Sequence, residues 1–444
     1  MGDHLPEPRL PSNPSAESPS SRFGHELTGG GDWPRDLLRR MFEAAVGSAD
    51  PAKVLAAHLP PAPNGRCVVV GAGKAAASMA AAVEAAWPAV DIAGVVACPY
   101  GYGLDCGRIR VLQAGHPVPD ANSMAAARKI LAAVRGLGPD DLVLALISGG
   151  GSATMALPAP GLTLEDKRIT NQLLLASGLD IRTINAVRRR ISGIKGGKLA
   201  AAAAPAQVVT LAISDIPGDD AAAIASGPTA PPAEPDFDLK EVAARLGPKL
   251  PARVAELLSL PAQAVAGARA ADIRLIAKPA AALDAAAAVA RENGVDPVIL
   301  GDAIEGESYV VARDMASRIG APDKATVLLS GGETTVTLGE GRAGRGGSNT
   351  EFILALACAL DGRPDVWALA ADTDGQDGVI GGAAGAIAGP DTLRRAREAG
   401  LDAAAHLAAH DSGRFFEALS DLVITGPTRT NVNDFRAILV LPAS

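Results

Sequence analysis

The sequence predicts an α/β protein built on a mostly parallel sheet covered by helices on both faces. Three observations carry that prediction. Short apolar runs alternate with alanine-rich helical segments along most of the chain. The runs are apolar throughout instead of alternating with polar residues, which marks strands buried on both faces. Several of them end in turns rich in glycine and serine, as strand-to-helix connections do. The strands read in order as Cys67–Val70, Gly94–Cys98, Arg110–Gln113, Leu142–Ile147 and Val208–Ile213. Helical segments such as Ala75–Ala86 and Ser123–Arg135 lie between them. Sheets of this kind bind ligands at the carboxyl ends of their strands.

A length of 444 residues implies two or three domains. Residues 1–31 are rich in Pro, Ser and Gly without an apolar period and read as a disordered extension. The proline-rich stretch Pro228–Pro235 reads as a peripheral excursion. After Asp272 the alternation resumes, with strands at Ile273–Ala277, Pro297–Leu300, Thr326–Leu329 and Val366–Ala371, so a second α/β unit is expected.

Composition narrows the function. Apolar residues are 48% and charged residues 20%, enough for an ordinary globular core. With 41 Lys plus Arg against 49 Asp plus Glu the net charge is −8, and aromatics are only 3%. An acidic chain poor in stacking side chains points away from nucleic acid. Four separated cysteines, Cys67, Cys98, Cys106 and Cys358, form no C-x-x-C pair and read as reduced thiols. No signal pattern opens the sequence and no apolar run is long enough for a membrane helix, so a cytoplasmic location is expected. A homodimer stays open.

Five turns could carry chemistry. Gly71-Ala72-Gly73-Lys74-Ala75 follows a strand and opens a helix, so its backbone N–H groups and Lys74 can meet a phosphate or carboxylate. It is not a P-loop, but it fits G-x-G-x-x-A with Asp91 downstream, as in dinucleotide folds. Ser148-Gly149-Gly150-Gly151-Ser152 offers amide and hydroxyl donors for phosphate. Asn185 through Lys198 holds Arg188, Arg189, Arg190, Lys195 and Lys198, five cations within eleven positions. A solvated helix face accounts for part of that run; phosphate or carboxylate recognition accounts for the rest. Ser214-Asp215-Ile216-Pro217-Gly218-Asp219 and Asp372-Thr373-Asp374-Gly375 could hold magnesium or accept a proton, although plain Asp/Gly turns read the same way. His116 sits in a turn fixed by Pro117 and Pro119 and could orient a substrate. His406 and His410 read as surface residues.

In this order the pieces resemble the class II glycerate kinases, some of which carry a hydroxypyruvate reductase label in bacterial tartrate pathways. The resemblance rests on GAGKA at 71–75, GHPVPD at 115–120, ISGGGSA at 147–153, INAVRRRISGIKGGKLA at 184–200 and ISDIPGDD at 213–220. It continues in ASGPT at 225–229, LSGGETTVT at 329–337, GRGGSNTEF at 344–352, ADTDGQDG at 371–378 and GPTRTNVND at 426–434. It implies a Rossmann-like domain over 32–275, a smaller MOFRL-type domain over 276–444, and an active site in the cleft between them. It also implies ATP, a divalent cation such as Mg2+, and conversion of D-glycerate to 2-phosphoglycerate. Lys74 takes the family's catalytic position. The arginine often found before the asparagine of G-G-x-N is Ser348 here, which leaves Arg345 or Arg188 to supply that charge, with Asn349 at the motif's end.

The combined expectation is a phosphotransferase. Gly71, Gly73, Ser148, Gly149, Gly150, Gly151, Ser152 and Lys195 would take nucleotide phosphates, and Asp215 or Asp219 would hold magnesium. Lys74 would neutralise the transferred group, Arg188 the glycerate carboxylate, and Asp374 would accept the hydroxyl proton. His116, Asn185, Arg345 and Asn349 would line the substrate. A nicotinamide-dependent hydroxypyruvate reductase is the alternative, resting on G-x-G-x-x-A with Asp91 and on the label some family members carry.

Overall fold

The computed structural model describes residues 33–230, 238–261, 265, 272–339 and 344–442. The N-terminal extension and most of the Pro228–Pro235 stretch lie outside them.

Two six-stranded sheets organise the chain. The first contains β1 Cys67–Ala72, β2 Ile92–Pro99, β3 Ile109–Ala114, β4 Leu142–Ile147, β5 Gln207–Ile213 and β6 Asp272–Ala277. Every pairing in it is parallel and the order is β3-β2-β1-β4-β5-β6. This is the strand order of a dinucleotide-binding Rossmann sheet. β4 is buried along its whole length, which explains its unbroken Leu-Val-Leu-Ala-Leu-Ile sequence.

The second sheet holds β7 Asp296–Gly301, β9 Thr326–Gly332, β11 Val366–Asp372, β12 Ala383–Ala388, β13 Leu422–Ile424 and β14 Asp434–Val440. A two-residue pair, β8 Gly306–Glu307 and β10 Thr334–Thr335, stands apart from it. Its order is β13-β12-β11-β14-β9-β7, and only the β7–β9 pair is parallel.

The helices in chain order are α1 Trp33–Ser48, α2 Pro51–Val54, α3 Ala76–Ala86, α4 Ala121–Ala133, α5 Gly151–Thr154, α6 Leu164–Ala176, α7 Ile181–Arg190 and α8 Lys198–Ala203. They continue as α9 Leu239–Leu246, α10 Ala252–Ser259, α11 Pro279–Glu292, α12 Ser308–Arg318 and α13 Ser348–Leu360, with three shorter ones before β13. No described helix is long and apolar enough to cross a membrane.

Packing departs from sequence order at both ends of the first domain. β6 extends to Ala277, two residues past the boundary read at 275. Helix α1, early in the chain, packs on α11 and across β11 and β14 of the second sheet. Its stripe of Leu37, Leu38, Met41, Phe42 and Ala45 recurs at helical spacing and is buried. Phe42 meets Phe435 of β14 with ring centroids 5.8 Å apart. The Arg35 guanidinium reaches Asp421 at 2.7 Å. One apolar cluster therefore runs from Val69, Leu144 and Leu211 of the first sheet through α1 and α11 to Leu329, Leu369 and Phe435 of the second.

Truncating Phe42 to Ala should cost about 3–5 kcal/mol. Urea unfolding should show a lowered midpoint with an unchanged slope; an unchanged midpoint would mean that α1 does not help to hold the second sheet.

Candidate active site between the two sheets

In a sheet of this order, β1 and β4 are neighbours whose following connections leave in opposite directions, and the gap between them is where ligands bind. The turns that follow these two strands hold each other there. Lys74 donates its main-chain N–H to the Gly149 carbonyl at 2.8 Å, and Ala75 donates to the Ser148 hydroxyl oxygen at 3.0 Å. The approach is close enough to exclude side chains. A Cβ on Gly73, whose φ is +131°, would fall 2.2 Å from Ser148 Oγ. A Cβ on Gly149 would fall 1.8 Å from Asp215 Oδ2 and 2.6 Å from Asn431 Nδ2. The N–H groups of Gly149 and Gly150 make no hydrogen bond among the described residues, so both are available to an anion.

The second domain meets this crevice with carboxylates. Lys74 Nζ pairs with Asp374 Oδ2; Asp374 is buried and Lys74 is largely so. Asp374 follows β11 and is held by its own turn, with the Gln376 N–H donating to Asp374 Oδ1 at 2.7 Å. Asn431 donates to Asp215 Oδ2 at 3.2 Å, a second tie between the domains. A third joins Ser78 Oγ to the Arg429 carbonyl.

Charges explain the titration behaviour. Burial works against the Lys74 ammonium, but Asp374, Asp372 and Asp215 outweigh it and hold its pKa above the usual lysine value. Asp215 is raised by burial, with Lys74 opposing the rise. Asp372 is pushed well above the carboxylate range by burial, then by Asp374 and Asp434. Glu333 is pushed up to about 7 by the surrounding protein and by Asp434 and Asp215, while Lys74 pulls it down. His116 is lowered to about 4 by the protein around it and by Lys74, so its imidazole is neutral at pH 7. Glu333 and His116 are both open to solvent yet closely surrounded, as residues on a cleft wall are. The Cβ position of Gly150 is 3.0 Å from the His116 ring and 3.4 Å from Lys74 Cγ, which puts all three on one wall.

The structure thus gathers Lys74, Gly73, Gly149, Gly150, His116, Asp215 and Asp374. The other expected site residues have different places. Gly71 lies inside β1, where a Cβ would meet the Leu146 carbonyl at 2.3 Å; it serves strand packing. Gly151 is fixed by packing on Ala72 and Ala225. The Ser148 hydroxyl is buried and holds the Ala75 amide, so it shapes the turn. Ser152 Oγ meets Ser226 Oγ at 3.0 Å, and Ser226 donates to Asn185, which sets Asn185 behind the loop. Arg188 and Lys195 belong to a separate group of cations with Lys167. Asp219 lies 3.7 Å from Lys278 and is not among the carboxylates that act most on Lys74.

Two expected substrate residues have other partners in the structure. Arg345 has 45% of its side chain exposed and its guanidinium 3.5 Å from Glu417. Asn349 is fully buried and donates to Asp434 at 2.7 Å, so it positions that carboxylate and does not line the cleft. Sequence reasoning passed over Glu333, Asn431 and Asp434, and it named Asp372 only as part of its turn. Each sits in a stretch that carries the family resemblance, at or beside the end of a strand, and that position was the available signal.

Comparisons with known proteins identify the family. Residues 37–259 match the domain of unknown function DUF4147, and residues 326–434 match the MOFRL family. A glycerate 2-kinase from Pyrococcus horikoshii is 36% identical over 85% of this chain and 88% of its own length. The crystal structure of a glycerate kinase from Thermotoga maritima superposes with a TM-score of 0.80 at 32% identity, covering 93% of this chain and all of that one. A protein from Agrobacterium vitis named "Putative hydroxypyruvate reductase" is 55% identical over 91% of this chain and 94% of its own length. The chain belongs to the glycerate kinase family that joins a DUF4147 domain to a MOFRL domain.

Replacing Lys74 with Met removes the ammonium that restrains Glu333. Its titration midpoint should then rise above about 7, read by NMR of 13C-carboxyl glutamate. An unchanged midpoint would place Lys74 outside the electrostatic reach of Glu333.

Proposed function

We infer that the chain is an ATP-dependent glycerate 2-kinase, transferring the terminal phosphoryl group to the 2-hydroxyl of D-glycerate. The observation that carries this reading is the meeting of one strongly held ammonium, Lys74, with the free amides of Gly149 and Gly150 and the opposing carboxylate of Asp374. Phosphoryl transfer demands positioning and charge neutralisation, and these groups supply both. The amides and Lys74 receive the phosphate oxygens. Lys74 leaves its pairing with Asp374 as the phosphate arrives, which frees Asp374 to accept the proton of the substrate hydroxyl. Neutral His116 can donate to or accept from the glycerate. With two domains flanking the cleft, closure would keep water from the transferring group.

The donor set also fits magnesium. Asp215 and Glu333 are hard oxygen ligands whose mutual repulsion a cation would relieve. Among the described residues no group of three or more ligating side chains forms a closed metal cage. That suits an ion taking one or two carboxylates and completing its shell with phosphates and water. Asp215 would hold it, and the ion would neutralise charge between the terminal phosphates. Asp219 is the weaker candidate because Lys278 already offsets its charge.

The reductase reading loses its basis in the geometry. In a dinucleotide fold the acid that binds ribose stands at the carboxyl end of the second strand. Asp91 stands before β2, at the opposite end of an eight-residue strand, about 26 Å away at ~3.3 Å per residue. Gly71 is likewise a strand residue.

Product NMR after incubation with ATP and D-glycerate should show 2-phosphoglycerate, and NADH should not be oxidised in the presence of hydroxypyruvate. Lys74→Ala should lower kcat by about 10²–10³ while the folded circular-dichroism spectrum persists. Near-normal turnover in that variant, or hydride transfer by the parent, would overturn the assignment.

A further inference from the structure

The run of cations after Asn185 has a partner that the sequence did not disclose. Lys167 of α6 is 4% exposed and Lys195 is 3% exposed. Lys195 Nζ donates to the Ser152 carbonyl at 2.8 Å, and Lys167 Nζ donates to the Ile191 carbonyl at 3.4 Å. An ammonium has three donors, so at least two on each lysine are unspent. Arg188 spends its Nε on Asn171 at 3.1 Å, and its terminal nitrogens bond nothing among the described residues. No carboxylate pairs with any of the three among those residues.

Other cations in the run have structural work. Arg190 binds the carbonyls of Leu257, Leu260 and Pro261, and Lys198 binds those of Arg189 and Ser192. Arg189 is buried and has partners of its own, so Lys167, Arg188 and Lys195 stand as buried or half-buried cations close enough to act on one another. Left alone, such an arrangement is unfavourable, since both desolvation and mutual repulsion oppose it. Loss of protons relieves the conflict in the free protein, and an anion relieves it with the charges kept.

Position and charge select the anion. The loop of residues 148–152 has Lys74 at one end and the Ser152 carbonyl, bound to Lys195, at the other. Five residues span at most about 17 Å, so an elongated polyanion could lie along the loop between the two lysines. A carboxylate carries one negative charge and would neutralise one of the three cations; a triphosphate carries enough for all three.

The geometry points to Lys167, Arg188 and Lys195 as a receptor for the polyphosphate chain of the nucleotide, with Lys74 at its reacting end. This rests on the kinase reading and moves Arg188 from the glycerate carboxylate to the donor. Lys167 is a binding residue that neither motif nor resemblance singled out.

The free site is short of protons. Burial and the nearby Lys198 and Arg188 lower Lys167 to about 7, and burial with Lys167 and Arg188 sets Lys195 well below the usual lysine value. A polyanion stabilises the charged forms, so binding near pH 8 takes up protons and affinity falls as pH rises above about 7.

The test is calorimetry of the full chain with inorganic tripolyphosphate and with ADP, in two pH 8 buffers of different ionisation heat. The parent should bind both ligands with net proton uptake. Lys167→Met should weaken both at least tenfold, lose part of the uptake, with Lys195 supplying the rest, and raise KM for ATP, leaving KM for D-glycerate within twofold. Lys167→Arg keeps the charge but does not titrate; it should bind tightly with less uptake, and it stands in if the Met variant fails to fold. Undiminished tripolyphosphate binding in Lys167→Met, unchanged proton uptake in Lys167→Arg, or a rise confined to KM for glycerate would each overturn the proposal. If the parent binds tripolyphosphate with proton uptake but makes no phosphoglycerate, the kinase reading fails and the anion receptor stands.

Discussion

The buried pair between Lys74 and Asp374 is the constraint around which the molecule is arranged. Two opposite charges taken out of water are tolerated when each answers the other, and removing one leaves the other costly. Here the partners come from different domains, Lys74 from the turn after β1 and Asp374 from the turn after β11. The pair therefore sets the distance between two sheets as well as the charge of the site. Asp215 with Asn431, and Ser78 with the Arg429 carbonyl, fix the same distance from either side.

A division of labour follows. The parallel sheet contributes amides, Lys74 and one carboxylate, Asp215 after β5, because its strand order opens a gap at the carboxyl ends of β1 and β4 and the turns there are too tight for side chains. The mixed sheet contributes carboxylates from the ends of β9, β11 and β14. Its own second layer keeps them in place: Asp434 accepts from Asn349 and from the Thr334 N–H at 3.1 Å, and pairs with Arg436 at 2.5 Å. Arg436 is itself sealed against the Phe352 ring, 5.4 Å from its centroid. Under the kinase reading, phosphate would meet positive groups on one side and acceptors on the other, which supplies the positioning and charge neutralisation that phosphoryl transfer needs.

The first sheet was legible because parallel strands buried on both faces leave an unbroken apolar trace, as in β4. The second was legible only as alternating elements. Its antiparallel pairing depends on β14 entering between β9 and β11, and such distant partners leave no mark in a local pattern. The same limit hid the place of α1, whose apolar stripe announces a buried face but not the sheet that buries it. At the site, Lys74 and Asp374 stood out because each follows a strand within a glycine turn. Lys167 did not, because a lysine in an ordinary amphipathic helix looks like a solvated one. Arg345 was misplaced by analogy of position: its motif is present, but the chain there turns its side chain toward Glu417.

The lodging of α1 against β14 bears on biosynthesis. Arg35 and Asp421, which clasp across that contact, are 386 positions apart in the chain. A ribosome releases the Leu37–Phe42 stripe long before the strand that will shelter it exists. Throughout that interval the helix lacks the strand that completes its shelter, although α11 and the parallel sheet between the two can already assemble. Nascent chains of this protein should thus engage chaperones through their earliest helix and be released only as translation nears β14.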